Sequence, residues 1–391
     1  MPKIEDHVEL PRGQERLAVA SLALAAFALN LNTNVLGALL PFVRVEMALA
    51  SGDAKYLVAA AAFGSAIGAL AVGWLAGRHG RRPVLVAGLL AFVVLSLGHL
   101  LTTSFWPFLL LRALSGVAVG LAYAAASALV ADVSPYARRG ATMGRFNAGM
   151  FLAIPIGMPL SVLLANAGYW SAIFAAQALV AALGCWWAMR AVPDSRPNEP
   201  AATTMMVLKP PAVRAVLVAT MLHVGSFFTT VQLATTWLDE SGRVAKEDQM
   251  LLWIGLGAAS VLGSALLGRL SDRMGKRNFV LVTSIVLVAS FVVLAREPGA
   301  LVLLLAGAVL AVTAAARTGP LQALLSGLVP RHQLGALMGL RGFVMQLGVF
   351  AFALAAAPIS SELGFRGVLM FAAGCQLMSY VAIRFWVREA V

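Results

Sequence analysis

Twelve predominantly apolar stretches, most of them near 20 residues long, divide this 391-residue chain. They fall at 17–42, 56–75, 84–101, 105–130, 142–165, 170–192, 213–238, 250–270, 279–294, 300–328, 337–359 and 367–387. About 20 such residues cross the hydrocarbon core of a bilayer as a helix. In lipid a backbone must satisfy its own polar groups, so runs of this length are read as transmembrane helices. The expected fold is an all-α membrane protein with twelve of them. The ninth run is cut short by Arg296 and Glu297. Only 12% of the residues are charged, against about a quarter in soluble domains, which excludes an ordinary soluble fold.

The second constraint is a repeat. A basic turn, GWLAGRHGRRPVL, begins at Gly73, and a second version, GRLSDRMGKRNFV, begins at Gly268. Gly73, Leu75, Arg78, Gly80 and Arg82 return as Gly268, Leu270, Arg273, Gly275 and Arg277, each 195 residues later. At the same offset Pro135, Gly140, Ala141, Met143 and Gly144 return as Pro330, Gly335, Ala336, Met338 and Gly339. Gly168-Tyr169-Trp170 faces Gly364-Phe365-Arg366 at an offset of 196. A unit repeated at this length predicts one six-helix bundle built twice, the halves being pseudo-symmetric. The expected divisions are a tail at 1–16, a bundle at 17–192, a linker at 193–212, a second bundle at 213–387 and a tail at 388–391. Pro193, Pro197, Pro200, Pro210 and Pro211 mark the linker.

Charge sets the orientation. The formal net charge of +12 could suggest nucleic acid, but the basic residues fall in the connections between apolar runs. On one side the loops hold Arg44, Lys55, Arg243, Lys246, Arg296 and Arg366, outnumbered there by acids such as Asp53, Asp239 and Glu362. The remaining Lys and Arg lie in loops, tails and helix ends of the other side, except Arg112 and Arg317 inside apolar runs. The basic side is read as cytoplasmic, with both termini and both basic turns on it. The first sixteen residues mix acids and bases and do not read as a secretory signal. Cys185 and Cys375 lie inside apolar runs and read as packing residues. There is no metal-ligand cluster, phosphate-binding loop or nucleophile beside a base, so neither an enzyme nor an ATP-driven pump is expected. No cofactor is expected; the expected partners are a small-molecule solute and the lipid bilayer, with no nucleic acid, and the chain reads as a monomer.

With these features the chain resembles the major facilitator superfamily of transporters over nearly its whole length. The two basic turns carry the resemblance, with Arg112 in LRALSGVAVG and the IPIGMPL pattern at 154–160. The fifth helix and the following GYW are similar to the twelve-helix bacterial efflux branch of drug, sugar and nucleoside exporters. The resemblance implies a secondary transporter of the bacterial inner membrane working by alternating access. It implies a gating role for Gly73, Gly77, Arg78, Gly80, Arg81, Asp132, Gly268, Asp272, Arg273, Gly275 and Lys276. In the family the fifth position of the turn is usually aspartate, capping a helix of the opposite half. Here it is Gly77 in the first copy and Asp272 in the second. The family also pairs the ninth position with an acid ending the fourth helix; Arg81 and Asp132 fit, whereas Lys276 faces Gly327. Loss of the first aspartate predicts an inward-open state that is easier to reach.

In this family the first, fourth, seventh and tenth helices line the central cavity. Asn30 and Asn34 lie four apart, hence on one helical face, and are substrate candidates. Arg112 and Tyr123 share a face of the fourth helix. In the seventh, His223, Ser226, Phe227 and Thr230 share a face that excludes Gln232. Arg317 precedes Gly319-Pro320, where a kink is expected; it lines the cavity or snorkels. Proton-coupling candidates are Arg112, His223 and Asp132. No Asp or Glu lies well inside an apolar run, and two intramembrane arginines without acids favour an anionic or neutral polar solute. The sequence leaves open proton-coupled export, uptake or exchange of an organic anion, facilitated diffusion, and a sensor that keeps the fold without transport.

Overall fold

The computed structural model of the protein describes residues 10–47, 54–193, 204–242, 244 and 246–388. Residues 1–9 and 389–391 of the tails, most of the expected linker (194–203), Asp53 and Arg243 lie outside the described residues. Among those described, twelve helices are long and apolar enough to cross a membrane. They are α1 (Arg12–Leu36), α2 (Ala59–His79), α3 (Arg81–His99), α4 (Phe105–Val133), α5 (Tyr136–Asn166) and α6 (Ala172–Ala191). The second six are α7 (Pro211–Ala234), α8 (Asp248–Met274), α9 (Lys276–Leu294), α10 (Ala300–Ser326), α11 (Arg331–Ala356) and α12 (Pro358–Trp386). No strand is present among the described residues. The ninth run is a full span after all, since its helix begins at Lys276, three residues before the apolar stretch.

The breaks follow from local chemistry. Gly80 and Gly275, which end the two basic turns, have φ of 90° and 84°, backbone that a side chain disfavours. The last two helices meet at Gly364, φ 64°, where one hydrogen-bonded run from Leu334 to Trp386 changes direction. Pro155 lacks the N–H for an α-helical bond, and a π-helical turn over Ala153–Gly157 interrupts α5 there. Pro320, by contrast, lies inside a helix assigned continuously from Ala300 to Ser326.

The chain packs as two compact units. The first comprises Met1–Pro135, Arg145–Val207 and Val329–Phe343; the second comprises Tyr136–Gly144, Leu208–Leu328 and Val344–Val391. Each unit thus takes one short helix start from the other sequence repeat.

In the first unit, α2 and α4 meet backbone to backbone. A Cβ on Gly64 or Gly68 would collide with the carbonyl oxygen of Ala113 or Val117, and one on Gly116 or Gly120 with that of Ala61 or Ser65. Small residues at this spacing allow the close van der Waals packing that holds helices together in lipid. An aromatic core forms around Phe108, Trp170 and Phe174, with His99 stacked on Phe174 at 4.5 Å.

In the second unit, α8 and α10 repeat the contact, for a Cβ on Gly263 would lie 2.6 Å from the Val312 oxygen. These positions match Gly68 and Val117 at the 195-residue offset. The core here gathers Phe227, Leu287, Phe291 and Leu369.

Candidate functional site

The basic turns lead to two latches, one in each unit. In the second unit Asp272 accepts hydrogen bonds from the backbone N–H of Gly140 (2.9 Å) and Ala141 (2.8 Å). It thereby caps the helix beginning at Arg139, whose first N–H groups have no intrahelical partner. Its other neighbour is Lys276, 3.1 Å away. The Lys276 ammonium also sits 4.2 Å from the Tyr136 ring centroid, a cation–π arrangement. The Tyr136 ring fills the space a side chain at Gly327 would need.

The first unit is built differently at the matching positions. The buried Asp132 carboxylate is gripped by Arg81 and by Arg331, the latter at 3.1 Å through Nε. Arg81 also donates to the Arg331 carbonyl. At the 195-residue offset Asp272, Lys276, Gly327 and Tyr136 correspond to Gly77, Arg81, Asp132 and Arg331. The carboxylate has therefore moved from the turn to the end of α4, and a second guanidinium stands where the other unit has an aromatic ring.

Packing under the latches keeps the repeat. A Cβ on Gly73 would lie 2.9 Å from Cα of Ala336, and one on Gly268 would lie 2.9 Å from Cα of Ala141. Arg82 donates to the Met189 carbonyl, and its counterpart Arg277 donates to the Arg384 and Val387 carbonyls at 2.7 and 2.6 Å. These two arginines tie down helix C-termini, which carry unsatisfied carbonyls. Arg78 and Arg273 are exposed.

Deeper in the helices, the polar groups fall into separate clusters. Arg112, 2% exposed, does not meet Asn30 or Asn34. It donates to Asn32, at 2.6 Å to the side-chain oxygen and 3.1 Å to the carbonyl. Asn34 instead bonds Asn30, through the carbonyl at 3.0 Å and the side-chain oxygen at 3.3 Å. This pair is partly exposed, on the helix face opposite Asn32. Tyr123 shares Arg112's face, but eleven residues at 1.5 Å of rise separate them by about 16 Å. Tyr123 donates to Asn147 of α5 at 3.0 Å and lies 3.4 Å from the Met150 sulfur.

In the second unit Arg317 is fully buried and does not snorkel. Its terminal nitrogens donate to Gln376 (2.6 Å) and Ser379 (2.7 Å) of α12. Gln376 passes the network to Ser226 at 2.7 Å. His223 meets the Ala314 carbonyl at 3.2 Å and stacks on Phe227, all buried. Thr230 is buried, whereas Gln232 on the other face is exposed.

The sequence reading missed Asn32, Asn147, Gln376 and above all Arg341. Arg341 was grouped with the loop and helix-end charges. It is in fact a further arginine inside the membrane helices, ten residues into α11 and 2% exposed. Its guanidinium lies near enough to the Tyr123 phenol to interact with it. The available signal was its place between the apolar segments LGALMGL and GFVMQLGVF. Among the described residues, none of Arg112, Arg317 and Arg341 has a carboxylate partner. Each relies on neutral oxygens, and each keeps a buried Nε without an acceptor. Hydrogen bonds to a charged group stabilise by about 1.5–3 kcal/mol each. Uncompensated burial of an ion costs several kcal/mol, so these interiors remain electrostatically short of negative charge.

Comparison with known proteins places these features in context. A family model described as Major Facilitator Superfamily matches residues 22–243 and 244–391. The arabinose-proton symporter of Escherichia coli (strain K12) is 30% identical over 161 residues, which is 41% of this chain and 34% of that protein. The aligned part thus spans about a third of that relative's length. The chloramphenicol resistance protein of Streptomyces lividans is 27% identical over 297 residues, covering 72% of this chain and 74% of the other. The crystal structure of the human organic anion transporter MFSD10 (TETRAN) superposes with a TM-score of 0.79 at 18% identity, over 96% of this chain and all of that one.

Proposed function

Because the chain belongs to the Major Facilitator Superfamily, we propose that it is a secondary transporter that exports a small organic anion across the bacterial inner membrane. It works by alternating access of the two six-helix bundles at 17–192 and 213–387. Both termini and both latches face the cytosol, and the chain acts as a monomer. The efflux direction is supported by likeness to a protein named for chloramphenicol resistance.

The observation that carries the solute's charge is the set Arg112, Arg317 and Arg341, buried and bonded only to neutral groups. A low-dielectric interior with fixed positive charge draws an anion and repels a cation. Asn30 and Asn34, the partly exposed pair, supply neutral hydrogen bonds to the solute. Tyr123 is a further candidate contact within the first unit, and Phe227 and Thr230 are candidate contacts within the second. Transport is coupled to protons, with His223, Arg112 and Asp132 as the groups involved.

Flux in proteoliposomes tests this reading. Benzoate, succinate and gluconate, with and without an imposed pH gradient, should cross faster than in protein-free vesicles, and the gradient should accelerate them. A tetraphenylphosphonium flux that outpaces all three would overturn the anion reading. Flux equal to that of empty vesicles for every solute would leave a non-transporting sensor.

A further inference from the structure

We propose that Arg341, Tyr123 and Asn147 form the site that recognises a carboxylate, the Nε edge of Arg341 being the group that grips it. This rests on the anion reading above and names its site. All three residues belong to the first unit, on α11, α4 and α5.

Arg112, Arg317 and Arg341 differ in how they are held. Arg112 has its terminal nitrogens on one asparagine, and Arg317 has its own on two side chains of α12. Among the described residues the partner of Arg341 is the phenol of Tyr123, and that hydroxyl already donates to Asn147. The tyrosine itself is partly exposed, so one edge of the cluster is reachable. The Arg341 Nε is buried without an acceptor. A carboxylate presents two coplanar oxygens at the spacing of a guanidinium edge, and it pairs there through two parallel, charge-assisted hydrogen bonds. Phe146, fully buried with its ring 5.3 Å from that of Tyr123, backs the tyrosine from the core.

The cluster's depth connects it to the latch. Asp132 and Arg331 tie the end of α4 to the start of α11. Tyr123 and Arg341 lie nine and ten residues further in on the same two helices, about 14–15 Å deeper at 1.5 Å per residue. A carboxylate on Nε and a neighbouring nitrogen of Arg341 competes with the phenol for that guanidinium. It thereby loosens a tie between α4 and α11 that lies deeper than the ionic latch.

The test is a thermal-shift titration of the purified full chain with benzoate, succinate and gluconate, each beside its neutral amide. At least one carboxylate should stabilise the unaltered protein where its amide does not. R341K keeps the charge but loses the planar fork and should weaken that carboxylate about tenfold or more; Y123F should alter its affinity while the protein stays monodisperse. Equal stabilisation of the unaltered protein, R341K and Y123F would overturn this site and leave the anion reading standing. No stabilisation of the unaltered protein by any of the carboxylates would overturn both.

Discussion

Asp272 closes the N-terminus of the helix that begins beside Gly140, accepting that glycine's N–H at 2.9 Å and the next at 2.8 Å. The position 195 residues earlier is Gly77, which has no carboxylate to offer. The matching helix start, Gly335-Ala336, is held instead by the Arg81–Asp132–Arg331 group nearby. Two latches of one origin therefore differ in kind: one is a cap on backbone N–H groups, the other a buried ionic cluster.

Replacing Asp272→Ala should remove the cap and the ion pair with Lys276. A lost N-cap costs about 0.5–2 kcal/mol. The expected outcome is a lower melting temperature, with cysteines placed on the latch side of the membrane more readily labelled. An unchanged labelling pattern would show that this cap does not hold the latch.

Adding the missing group should act in the opposite sense. Gly77→Asp brings a carboxylate to the position that in the other repeat serves two N–H groups, and the expected gain is about 0.3–1 kcal/mol. Cysteine accessibility measured from both faces should shift away from the latch side, and solute flux should slow.

Asp132→Asn should cost more than Asp272→Ala. It removes the carboxylate that Arg81 and Arg331 both grip, and breaking one partner of a buried pair costs about 3–5 kcal/mol. The double variant Arg81→Gln/Asp132→Asn should be less unstable than the sum of its single variants. Denaturation of the four proteins in detergent gives the coupling directly; simple additivity would mean that the pair contributes nothing.

Gly120→Ala should destabilise severely, since its new Cβ meets the Ser65 carbonyl carbon and oxygen in backbone that cannot move aside. Gly374→Ala, with no atom within 4 Å of the new methyl, serves as the control and should be neutral or slightly stabilising. Yields of monodisperse protein and melting temperatures separate the two.

The chain order alone revealed twelve membrane helices, because the hydrophobic length of a span is a local property that any window of about 20 residues displays. It also revealed the duplication, since Gly73 and Gly268, or Gly144 and Gly339, need the same neighbours in both copies and so persist at one offset. Arg81 with Asp132 could be paired in advance through the family resemblance. What the sequence could not show was direction around each helix. Asn30, Asn32 and Asn34 look alike in a string, yet a turn of about 100° per residue sends Asn32 to Arg112 and leaves the other two to each other.

Arg341 shows the same limit more sharply. Ten residues from a helix start, a cation reads equally well as a snorkelling end or a buried centre, and only the packing of α4 and α5 around it decides. The tertiary structure decided it by burying the guanidinium beside Tyr123, whose hydroxyl is itself held by Asn147. Which helix lies opposite a given face is a property of non-local packing, and the pattern of apolar residues along a membrane span carries little of it, because lipid and protein interior are alike to an apolar side chain.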